Sequence, residues 1–208
     1  MGNYSVLVID FETTGLSPDN GDRAIEIGAV LIQNNQIVDR FQSLINPKMR
    51  ISSFIADYTG ITNQMLKMAP PADEVMYQFV DFMADHHLVA HNASFDRRFL
   101  DSELKRIRAS RNQEFACSML LSRRIYPDAP GHSLQSIIQY RKIQTSGIFH
   151  RALADAEMTA LLWINMINDL KEVYHLGCVS FELLLRISRM NKALVPKYLE
   201  RVAGECIR

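Results

Sequence analysis

Hydrophobic residues run almost without interruption through YSVLVID (4–10), a pattern typical of a strand that is covered on both faces. Two further β-branched and apolar stretches, 24–33 and 36–45, flank the dipeptide Asn34-Asn35. Because asparagine tolerates the left-handed backbone of a tight hairpin, these two stretches are predicted to pair through a short turn. The first three strands are therefore expected to form an antiparallel meander.

The pattern changes to helical spacing after Pro70-Pro71. Apolar residues then recur at the spacing of an amphipathic helix, at Val75, Phe79, Phe82 and Met83. The elements predicted further along are a short strand at 88–91, a helix marked by Phe95, Phe99, Leu100 and Leu104, a fifth strand at 115–119, and helices at 132–140 and 151–169. Antiparallel strands followed by βα alternation predict an α/β fold, with helices on the faces of a mixed sheet.

The composition, with 48% hydrophobic and 22% charged residues among 208, is that of one soluble globular domain with a full core. No segment approaches the roughly 20 apolar residues of a membrane span, and the N-terminus lacks a signal-peptide pattern, so a cytoplasmic protein without a membrane partner is expected. The cysteines, Cys117, Cys178 and Cys206, are far apart and form no CxxC motif. They predict buried reduced thiols rather than a disulfide framework or a zinc cluster.

Formal charge is balanced over the chain, with 23 basic and 23 acidic residues, but it is unevenly distributed. Residues 186–208 contain six basic and two acidic side chains, a balance of +4, which leaves residues 1–185 at −4. The basic residues of this tail are Arg186, Arg189, Lys192, Lys197, Arg201 and Arg208. Such a tail could steer a polyanion toward the protein, or it could be the solvated face of a helix.

Two carboxylates, Asp10 and Glu12, stand at the end of the first predicted strand, separated by Phe11. Residues two positions apart on a strand project from the same face, about 6.6 Å apart along the backbone, whereas Phe11 points into the opposite layer. Burying both charges would be costly without a cation beside them, and no lysine or arginine is close in sequence. Oxygen ligands favour Mg²⁺ or Mn²⁺ over zinc. The alternative is a pair of solvated carboxylates at a strand end.

Two later segments, HNASFD (91–96) and HRALAD (150–155), add acidic side chains that could join this pair. Asp96 falls in the first turn of a helix that follows a strand, near the edge where α/β sheets usually build their sites. His150 precedes the next long helix, and Asp155 lies within the first two turns of that helix. Taken singly, Asp96 is explained as an acid that complements the helix dipole, and His150 as a surface or hydrogen-bonded side chain.

Taken together, the ordered segments DFETTG, HNASFD and HRALAD resemble the three exonuclease motifs of the DEDD superfamily. The four residues between His150 and Asp155 match its DEDDh subgroup, which includes the proofreading epsilon subunit of bacterial replicative DNA polymerase and stand-alone exonucleases. The resemblance covers roughly residues 4–170 and includes the stretches IEIGAV and GIT. It implies a ribonuclease H-like α/β fold, in which a mixed five-stranded sheet is flanked by helices.

The resemblance assigns roles to five residues. The metal ligands by this pattern are Asp10, Glu12, Asp96 and Asp155, and the general base is His150. Two Mg²⁺ or Mn²⁺ ions about 3.5–4 Å apart can activate a water and neutralise the departing 3′-oxygen. Imidazole exchanges protons near neutral pH, which suits a histidine to take the proton of the attacking water. The implied activity is a 3′→5′ exonuclease that releases nucleoside 5′-monophosphates from a free 3′ end.

Four of the candidates for substrate contact form one turn, Thr13, Thr14, Gly15 and Leu16. In the family, the backbone of this turn meets the terminal sugar and its 3′-hydroxyl, and the side chain that matches Leu16 lies against a base. Gly15 permits the close backbone approach that such a contact needs. A structural turn is the alternative explanation for this glycine.

The other candidates for substrate contact are His91, Asn92 and Phe95. The first two could equally be structural groups that anchor their turn, and Phe95 could stack on a base or, through its i, i+4 spacing with Phe99, belong to the core. Basic residues along the same helix and its end could contact phosphates or form a solvated surface, and they are Arg97, Arg98, Lys105, Arg106, Arg108 and Arg111.

Three functions fit these motifs. The first, which the intact acidic residues and histidine favour, is a 3′→5′ exonuclease that acts on single-stranded or frayed DNA. The second is a 3′→5′ exoribonuclease, although no residue identifies a reader of the 2′-hydroxyl. The third is a non-enzymatic module that binds nucleic acid or a DNA polymerase subunit.

The C-terminal part of the chain lies outside the resemblance, so an exonuclease domain is expected at 1–172 and a helical extension at 173–208. The segment FELLLRI (181–187), followed by Pro196, predicts one or two short helices there. This extension could be an intramolecular lid, a contact for a homodimer, or an element that docks on a polymerase subunit.

Overall fold

Five strands form one mixed sheet in the computed structural model, which describes residues 5–145 and 150–206. In chain order the strands are β1 (Ser5–Thr13), β2 (Ala24–Gln33), β3 (Gln36–Leu44), β4 (His87–Ala90) and β5 (Phe115–Cys117). Their order across the sheet is β3-β2-β1-β4-β5. The pairs β1–β2 and β2–β3 are antiparallel, whereas β1–β4 and β4–β5 are parallel. The predicted meander and mixed sheet are confirmed.

The hairpin between β2 and β3 turns at Asn34 and Asn35, whose φ angles of 52° and 63° are left-handed. Two consecutive left-handed residues are what the tightest hairpin turn requires, because its twist then matches the twist of the paired strands. The asparagine pair therefore forms the short turn that the sequence predicts.

Nine α-helices surround this sheet within the described residues. They are α1 (Ser53–Thr59), α2 (Asn63–Met68), α3 (Ala72–Met83), α4 (Ser94–Arg106), α5 (Ser118–Ile125), α6 (Leu134–Tyr140), α7 (Ala152–Tyr174), α8 (Phe181–Arg189) and α9 (Val195–Cys206). The helices predicted from apolar spacing are confirmed as α3 and α4, those predicted at 132–140 and 151–169 as α6 and α7, and the predicted C-terminal helices as α8 and α9. The sequence interpretation missed α1, α2 and α5.

The fifth strand ends at Cys117, so its predicted extension to residue 119 is wrong. Cys117 instead caps α5, because its Sγ accepts a hydrogen bond from Leu120 N at 3.5 Å. The next side chain also leaves the strand pattern, since Ser118 Oγ donates to the carbonyl oxygen of Ala90 at 3.2 Å. The cap at Cys117 starts a helix directly after three strand residues, and the bond from Ser118 ties that start to β4.

Side chains alternate across β1 and divide the core into two layers. On one face, Ile9 and Phe11 pack with residues of α3 and α4. On the other face, Val8 packs with residues of α7 and the C-terminal helices. By the same alternation, Asp10 and Glu12 project toward α7, opposite to Phe11, as the strand period predicts. The two carboxylates therefore lie where the sheet meets the start of α7.

The C-terminal helices extend the layer that α7 forms. Phe181 of α8 is fully buried, and its ring centroid lies 6.2 Å from that of Trp163 in α7. Leu199 of α9 is fully buried in the same apolar cluster. Helix α7 itself runs to Tyr174, beyond the boundary expected at residue 172. The extension thus packs against its own chain.

Within residues 5–145 and 150–206, no helix is both long and apolar enough to cross a membrane. Cys117 and Cys178 are half-buried rather than fully buried, a difference from the expected buried thiols that follows from their places at a strand end and in a loop. No disulfide forms in this part of the chain.

Candidate active site

One cavity of about 780 Å³ opens at the C-terminal end of β1, where the strand of alternating core residues ends in carboxylates. Every site residue predicted from the sequence lines it, namely Asp10, Glu12, Thr13, Thr14, Gly15, Leu16, His91, Asn92, Phe95, Asp96, His150 and Asp155. The structure therefore brings three segments that are far apart in sequence to one place.

Three of the carboxylates form a compact group. Asp10, Glu12 and Asp155 each offer an oxygen, and these oxygens lie within 4.8 Å of one another. Asp155 reaches the group from the first turn of α7, where its Oδ2 accepts hydrogen bonds from the backbone N–H of His150 at 2.7 Å and of Arg151 at 3.2 Å. The same carboxylate thus fixes the start of the helix and faces the strand.

The fourth carboxylate, Asp96, lies beside this group in the first turn of α4 and is only 2% exposed. Its Oδ1 accepts a hydrogen bond at 3.2 Å from the backbone N–H of Phe11, the residue between Asp10 and Glu12. This bond ties α4 to the end of β1. The charge of Asp96 also contributes to raising the pKa of Asp10.

Burial disfavours the charged forms of all four carboxylates, and Asp10 and Glu12 are further affected by the neighbouring charges. Burial and the neighbouring carboxylates raise the pKa of Asp10 well above its usual range and the pKa of Glu12 to about 8. Burial raises the pKa of Asp96 to about 7, against the opposing effect of its bond from Phe11. Burial also raises the pKa of Asp155. A cation bound among them would favour the charged form of each carboxylate.

The donor set fits a hard divalent cation. All four groups are carboxylates, so they supply oxygen ligands alone, which favours Mg²⁺ or Mn²⁺ over metals that prefer nitrogen or sulfur. Two of them come from one strand and one from the start of each of two helices, so they are held by backbone that is already fixed. The predicted ligands Asp10, Glu12, Asp96 and Asp155 are thus placed to hold such an ion.

His150 lies at the rim of the cavity, directly before Arg151 and the start of α7. Its φ of 69° is left-handed, and its side chain is exposed. The imidazole ring centroid lies 4.1 Å from that of Tyr58. Because the His150 backbone N–H bonds Asp155, the position of the imidazole is coupled to that of a carboxylate.

The sequence interpretation missed an ion pair, between the buried Glu26 and the partly exposed Arg151, that places the start of α7. Glu26 of β2 is fully buried and lies opposite Glu12 in the β1–β2 ladder. It accepts hydrogen bonds from the Arg151 guanidinium, at 2.7 and 3.1 Å, and from Ala152 N at 3.1 Å. A side chain on the neighbouring Gly28 would overlap the backbone of Ala152 and Leu153. Glu26 and Gly28 therefore let α7 begin against the sheet.

The turn after β1 is held by one aspartate. Asp22 accepts hydrogen bonds from Thr14 Oγ1 at 3.1 Å and from Ser17 N at 3.0 Å. A Cβ atom on Gly15 would overlap the Asp22 carboxylate, so the structure explains this glycine by a close approach within the chain. The turn leaves Leu16 79% exposed at the cavity.

The three candidates for substrate contact in the segment after β4 differ in their surroundings. His91 bonds Ser118 Oγ and the carbonyl oxygen of His132 through its two ring nitrogens, both at 2.9 Å, and burial lowers its pKa to about 4. These contacts support the anchoring interpretation of His91. Asn92 is exposed, with a left-handed φ of 69°. Phe95 lines the cavity and also packs on Phe99, with ring centroids 4.9 Å apart, so it serves the core and the cavity wall.

Helix α1 adds an aromatic wall that the sequence interpretation did not find. Phe54 and Tyr58 are 71% and 51% exposed, line the cavity, and stack with ring centroids 6.1 Å apart and planes 11° apart. Burial and the carboxylates of Glu12, Asp155 and Asp10 raise the pKa of Tyr58, so its hydroxyl lies near the acidic group. The sequence signal that could have revealed α1 is Ser52, which caps the helix by accepting a hydrogen bond from Ile55 N.

The mixed sheet and this acidic cavity define a ribonuclease H-like exonuclease domain. The sequence profile of the RNase_T family, described as exonuclease, matches residues 7–163. The chain therefore belongs to this exonuclease family, and the resemblance of its motifs to the DEDDh exonucleases is confirmed.

Several relatives match most of this chain. It is 41% identical over 167 residues to DNA polymerase III PolC-type of Caldanaerobacter subterraneus subsp. tengcongensis, a match that covers 80% of this chain and 12% of the relative. It is 37% identical over 180 residues to 3′-5′ exonuclease DinG of Bacillus subtilis, with coverage of 83% and 19%. The chain thus spans less than a fifth of the length of these relatives.

Solved structures share the fold. Exonuclease X, in complex with 5′ overhanging duplex DNA, superimposes with a TM-score of 0.70 at 30% identity, covering 88% of this chain and 99% of that one. The nuclease domain of 3′hExo, a DEDDh family member bound to rAMP, superimposes with a TM-score of 0.69 at 22% identity, covering 80% and 93%.

Proposed function

We propose that this chain is a 3′→5′ exonuclease that needs Mg²⁺ or Mn²⁺, with two ions per site, and releases nucleoside 5′-monophosphates from single-stranded or frayed DNA. One observation carries the proposal. Asp10, Glu12 and Asp155, from two segments far apart in sequence, converge within 4.8 Å, with Asp96 and His150 on the walls of the same cavity. Membership of the exonuclease family agrees with that arrangement.

The chain's own residues divide the work. Asp10, Glu12, Asp96 and Asp155 hold the divalent ions, which when bound lower the pKa of water and neutralise charge on the departing oxygen. His150, exposed at the rim, accepts the proton of the attacking water on its imidazole. As the water gives up this proton, its oxygen forms a bond to phosphorus and the bond from phosphorus to the 3′-oxygen breaks.

The aromatic and loop residues position the substrate. Phe54 and Tyr58 offer ring faces on which a terminal base can stack, and Leu16 offers an apolar side chain at the same cavity. Along the chain, Thr13 and Thr14 lie between Leu16 and the carboxylates of Asp10 and Glu12. A 3′-terminal nucleotide bound there would place its phosphodiester beside the acidic group.

DNA is the proposed substrate rather than RNA. The relatives that match this chain at 30% identity or more include DNA polymerases of the PolC type, and the solved exonuclease X structure is named as a complex with duplex DNA. The PolC similarity also supports an association with a DNA polymerase subunit, in which mismatched 3′ ends would be the preferred substrate. A homodimer remains a separate proposal.

The test is hydrolysis of a 5′-labelled DNA oligonucleotide by the purified chain with Mg²⁺, Mn²⁺ or chelator. The expected product is a ladder shortened from the 3′ end, together with nucleoside 5′-monophosphates. Asp10→Asn should abolish it, because it removes a charged ligand with little change of shape. Asp19→Asn, at an exposed acid outside the cavity, is the matched control. Equal inactivity of wild type and both variants would reject the proposal.

The substrate class is tested with the same assay. Matched DNA and RNA oligonucleotides are compared as single strands, as paired duplexes, and as duplexes with a mismatched 3′ end. Faster hydrolysis of DNA is expected, and a further preference for mismatched ends would support a proofreading role. Faster hydrolysis of RNA would replace the DNA assignment with the exoribonuclease alternative.

A further inference from the structure

A second groove, of about 410 Å³, lies beside the catalytic cavity and differs from it in charge. Its cations are Lys48, Arg50 and Lys67, and its other polar side chains are the amides Asn46, Asn63 and Gln64. Met49 and Leu66 complete the lining, so neither aspartate nor glutamate contributes to it. These eight residues together form the cationic groove.

The backbone of the cationic groove is fixed from two sides. Asn46 N donates to the carbonyl oxygen of Pro70 at 2.9 Å, and Asn46 Oδ1 accepts from Lys48 N at 2.9 Å. Lys48 itself has a left-handed φ of 57°, a conformation that costs free energy for a residue with a side chain and persists when neighbouring contacts impose it. These contacts fix the backbone from which the Lys48 side chain projects.

The cationic groove and the catalytic cavity share one wall. Asn63 bonds both backbone groups of Ile51, accepting from its N–H at 2.9 Å and donating to its carbonyl at 3.2 Å. Ile51 is buried, Arg50 before it lines the cationic groove, and Ser52 after it lines the catalytic cavity. Two residues span at most about 7 Å, so the two surfaces adjoin. Helix α1, with Phe54 of the aromatic wall, starts at the same point.

The three cations are available to a ligand. Lys48, Arg50 and Lys67 are exposed, and none of them joins an ion pair among residues 5–145 and 150–206. In the next pocket, which Lys48 also lines, Glu103 is already paired with Arg23 at 2.8 Å. The sequence up to residue 185 carries a net charge of −4, so this positive groove stands out from an acidic body.

We propose that the cationic groove binds backbone phosphates of the DNA substrate outside the terminal nucleotide, an inference that rests on the proposed exonuclease function. Ammonium and guanidinium groups neutralise phosphates, and amide N–H groups donate to phosphate oxygens without reading the base sequence. A strand whose 3′ end lies in the catalytic cavity passes the shared wall at Ile51 and meets these donors. The groove then sets affinity for long substrates and leaves the chemical step unchanged.

The test compares two double variants of the full chain that remove the same charge. Lys48→Gln with Lys67→Gln changes the cationic groove. Lys142→Gln with Lys171→Gln is the matched control, because Lys142 also has a left-handed φ, 52°, and Lys171 also lies on a helix. Each protein is assayed on a 20-nucleotide single strand, on a duplex with a 5′ overhang, and on a nucleoside 5′-monophosphate p-nitrophenyl ester, which has no further phosphates.

The groove variant is expected to raise KM for the oligonucleotides about tenfold, with kcat unchanged. For the single strand, the slope of the logarithm of the binding constant against the logarithm of salt concentration should become shallower by about 1.4, because each of two lost phosphate contacts removes roughly 0.7. Hydrolysis of the ester should stay at the wild-type rate in both variants, which also reports correct folding. Oligonucleotide KM values equal to those of the control would overturn the inference. Failure of the wild type on all three substrates would instead reject the proposed exonuclease.

Discussion

His150 is the residue at which proton transfer can be separated from metal binding, because its side chain is outside the group of three carboxylates. His150→Asn is the appropriate change, since asparagine tolerates the left-handed φ of 69° at this position but does not act as a base there. The expected result is a fall in kcat of about 10²–10⁴-fold, measured on a DNA oligonucleotide. Stabilisation by Mn²⁺, measured as a shift of Tm, should remain. Loss of the Mn²⁺ response together with activity would contradict this role.

Glu12 makes the stability of the metal-free protein depend on pH. Burial and neighbouring carboxylates raise its pKa from 4.5 to about 8, so between these values the folded state keeps a proton that the unfolded chain has lost. Stability falls as pH rises wherever the native state binds more protons. Glu12→Gln removes this pH-dependent loss of stability. In chelator, the Tm of the variant should match that of wild type near pH 4.5 and exceed it at pH 8, by about 2–4 °C for each kcal/mol of difference in the free energy of unfolding.

The control for Glu12 is the shift of Tm on addition of Mg²⁺, measured by calorimetry on the same two proteins. The ion should stabilise the wild type more at pH 8 than at pH 6, because it replaces protons that are bound at the lower pH. The Gln variant should respond less. A wild type whose metal-free Tm rises steadily from pH 5 to pH 8 would show that the carboxylates are not clustered as described.

At the scale of elements, the start of α7 decides where Asp155 and His150 lie. Gly28 on β2 makes room for it, because a Cβ there would overlap the backbone of Ala152. Gly28→Ala should therefore move α7 away from the sheet and destabilise the fold by about 1–3 kcal/mol. A displacement of about 1 Å in a catalytic group can lower activity about 10²-fold, so kcat should fall as well.

The matched control is Gly177→Ala, because among the residues that the structure describes no atom that is not adjacent in the chain lies within 4 Å of a Cβ built at this position. Denaturant unfolding and DNA hydrolysis should both match the wild type in this variant. If Gly28→Ala were as stable and active as Gly177→Ala, the close contact between β2 and α7 would not position the site.

Helix α1 contributes the aromatic wall, and Phe54 is its most exposed member, at 71%. Stacking of a base on an aromatic ring is worth about 1–3 kcal/mol, so Phe54→Ala should raise KM for single-stranded DNA by about fivefold or more, with a smaller effect on kcat. Tyr77→Ala is the control, because Tyr77 is also exposed, at 57%, but lies on α3 outside the cavity. Equal KM values for the two variants would show that α1 does not contact the substrate.

The same helix explains what the sequence could not predict about the fold. An amphipathic helix follows from its hydrophobic period because it buries one face, as α3 does with Val75 and Phe79, and β1 follows from an unbroken apolar run that is buried on both faces. Helix α1 has seven residues, buries only Thr59, and exposes Phe54 and Tyr58 to the cavity. It therefore lacks an apolar stripe that a period could detect. Its aromatic residues point toward a ligand surface instead of the core.

The candidate site divides in a similar way. The positions of the proposed metal ligands and of His150 in one cavity were predictable because each lies in a short local motif, and Asp10 and Glu12 share a face by the strand period alone. Glu26 was not, because its partner Arg151 is 125 positions away and nothing local distinguishes it from a polar residue in an apolar strand. The same holds for Asp22, whose effect on Gly15 appears only when the turn is built.

At the scale of the whole molecule, the C-terminal helices continue the layer that carries the site. Helix α7 carries the proposed metal ligand Asp155 in its first turn and, further along, Trp163, whose ring centroid lies 6.2 Å from that of Phe181 in α8. Arg124 of α5 also donates to the carbonyl oxygen of Met190, just after α8, at 2.6 Å. One apolar cluster therefore joins the sheet, α7 and the extension, which predicts a single cooperative unit.

Trp163 is the sole tryptophan of the chain, so its fluorescence reports on the contact between α7 and the extension. If the extension is part of one unit, urea unfolding followed by this fluorescence should coincide with unfolding followed by far-UV circular dichroism. Phe181→Ala should shift both transitions together and destabilise the protein by about 3–5 kcal/mol, because the ring is fully buried. Tyr77→Ala should shift neither. A fluorescence transition that precedes the loss of helix and strand signal would instead mean that residues 173–208 unfold as a separate domain.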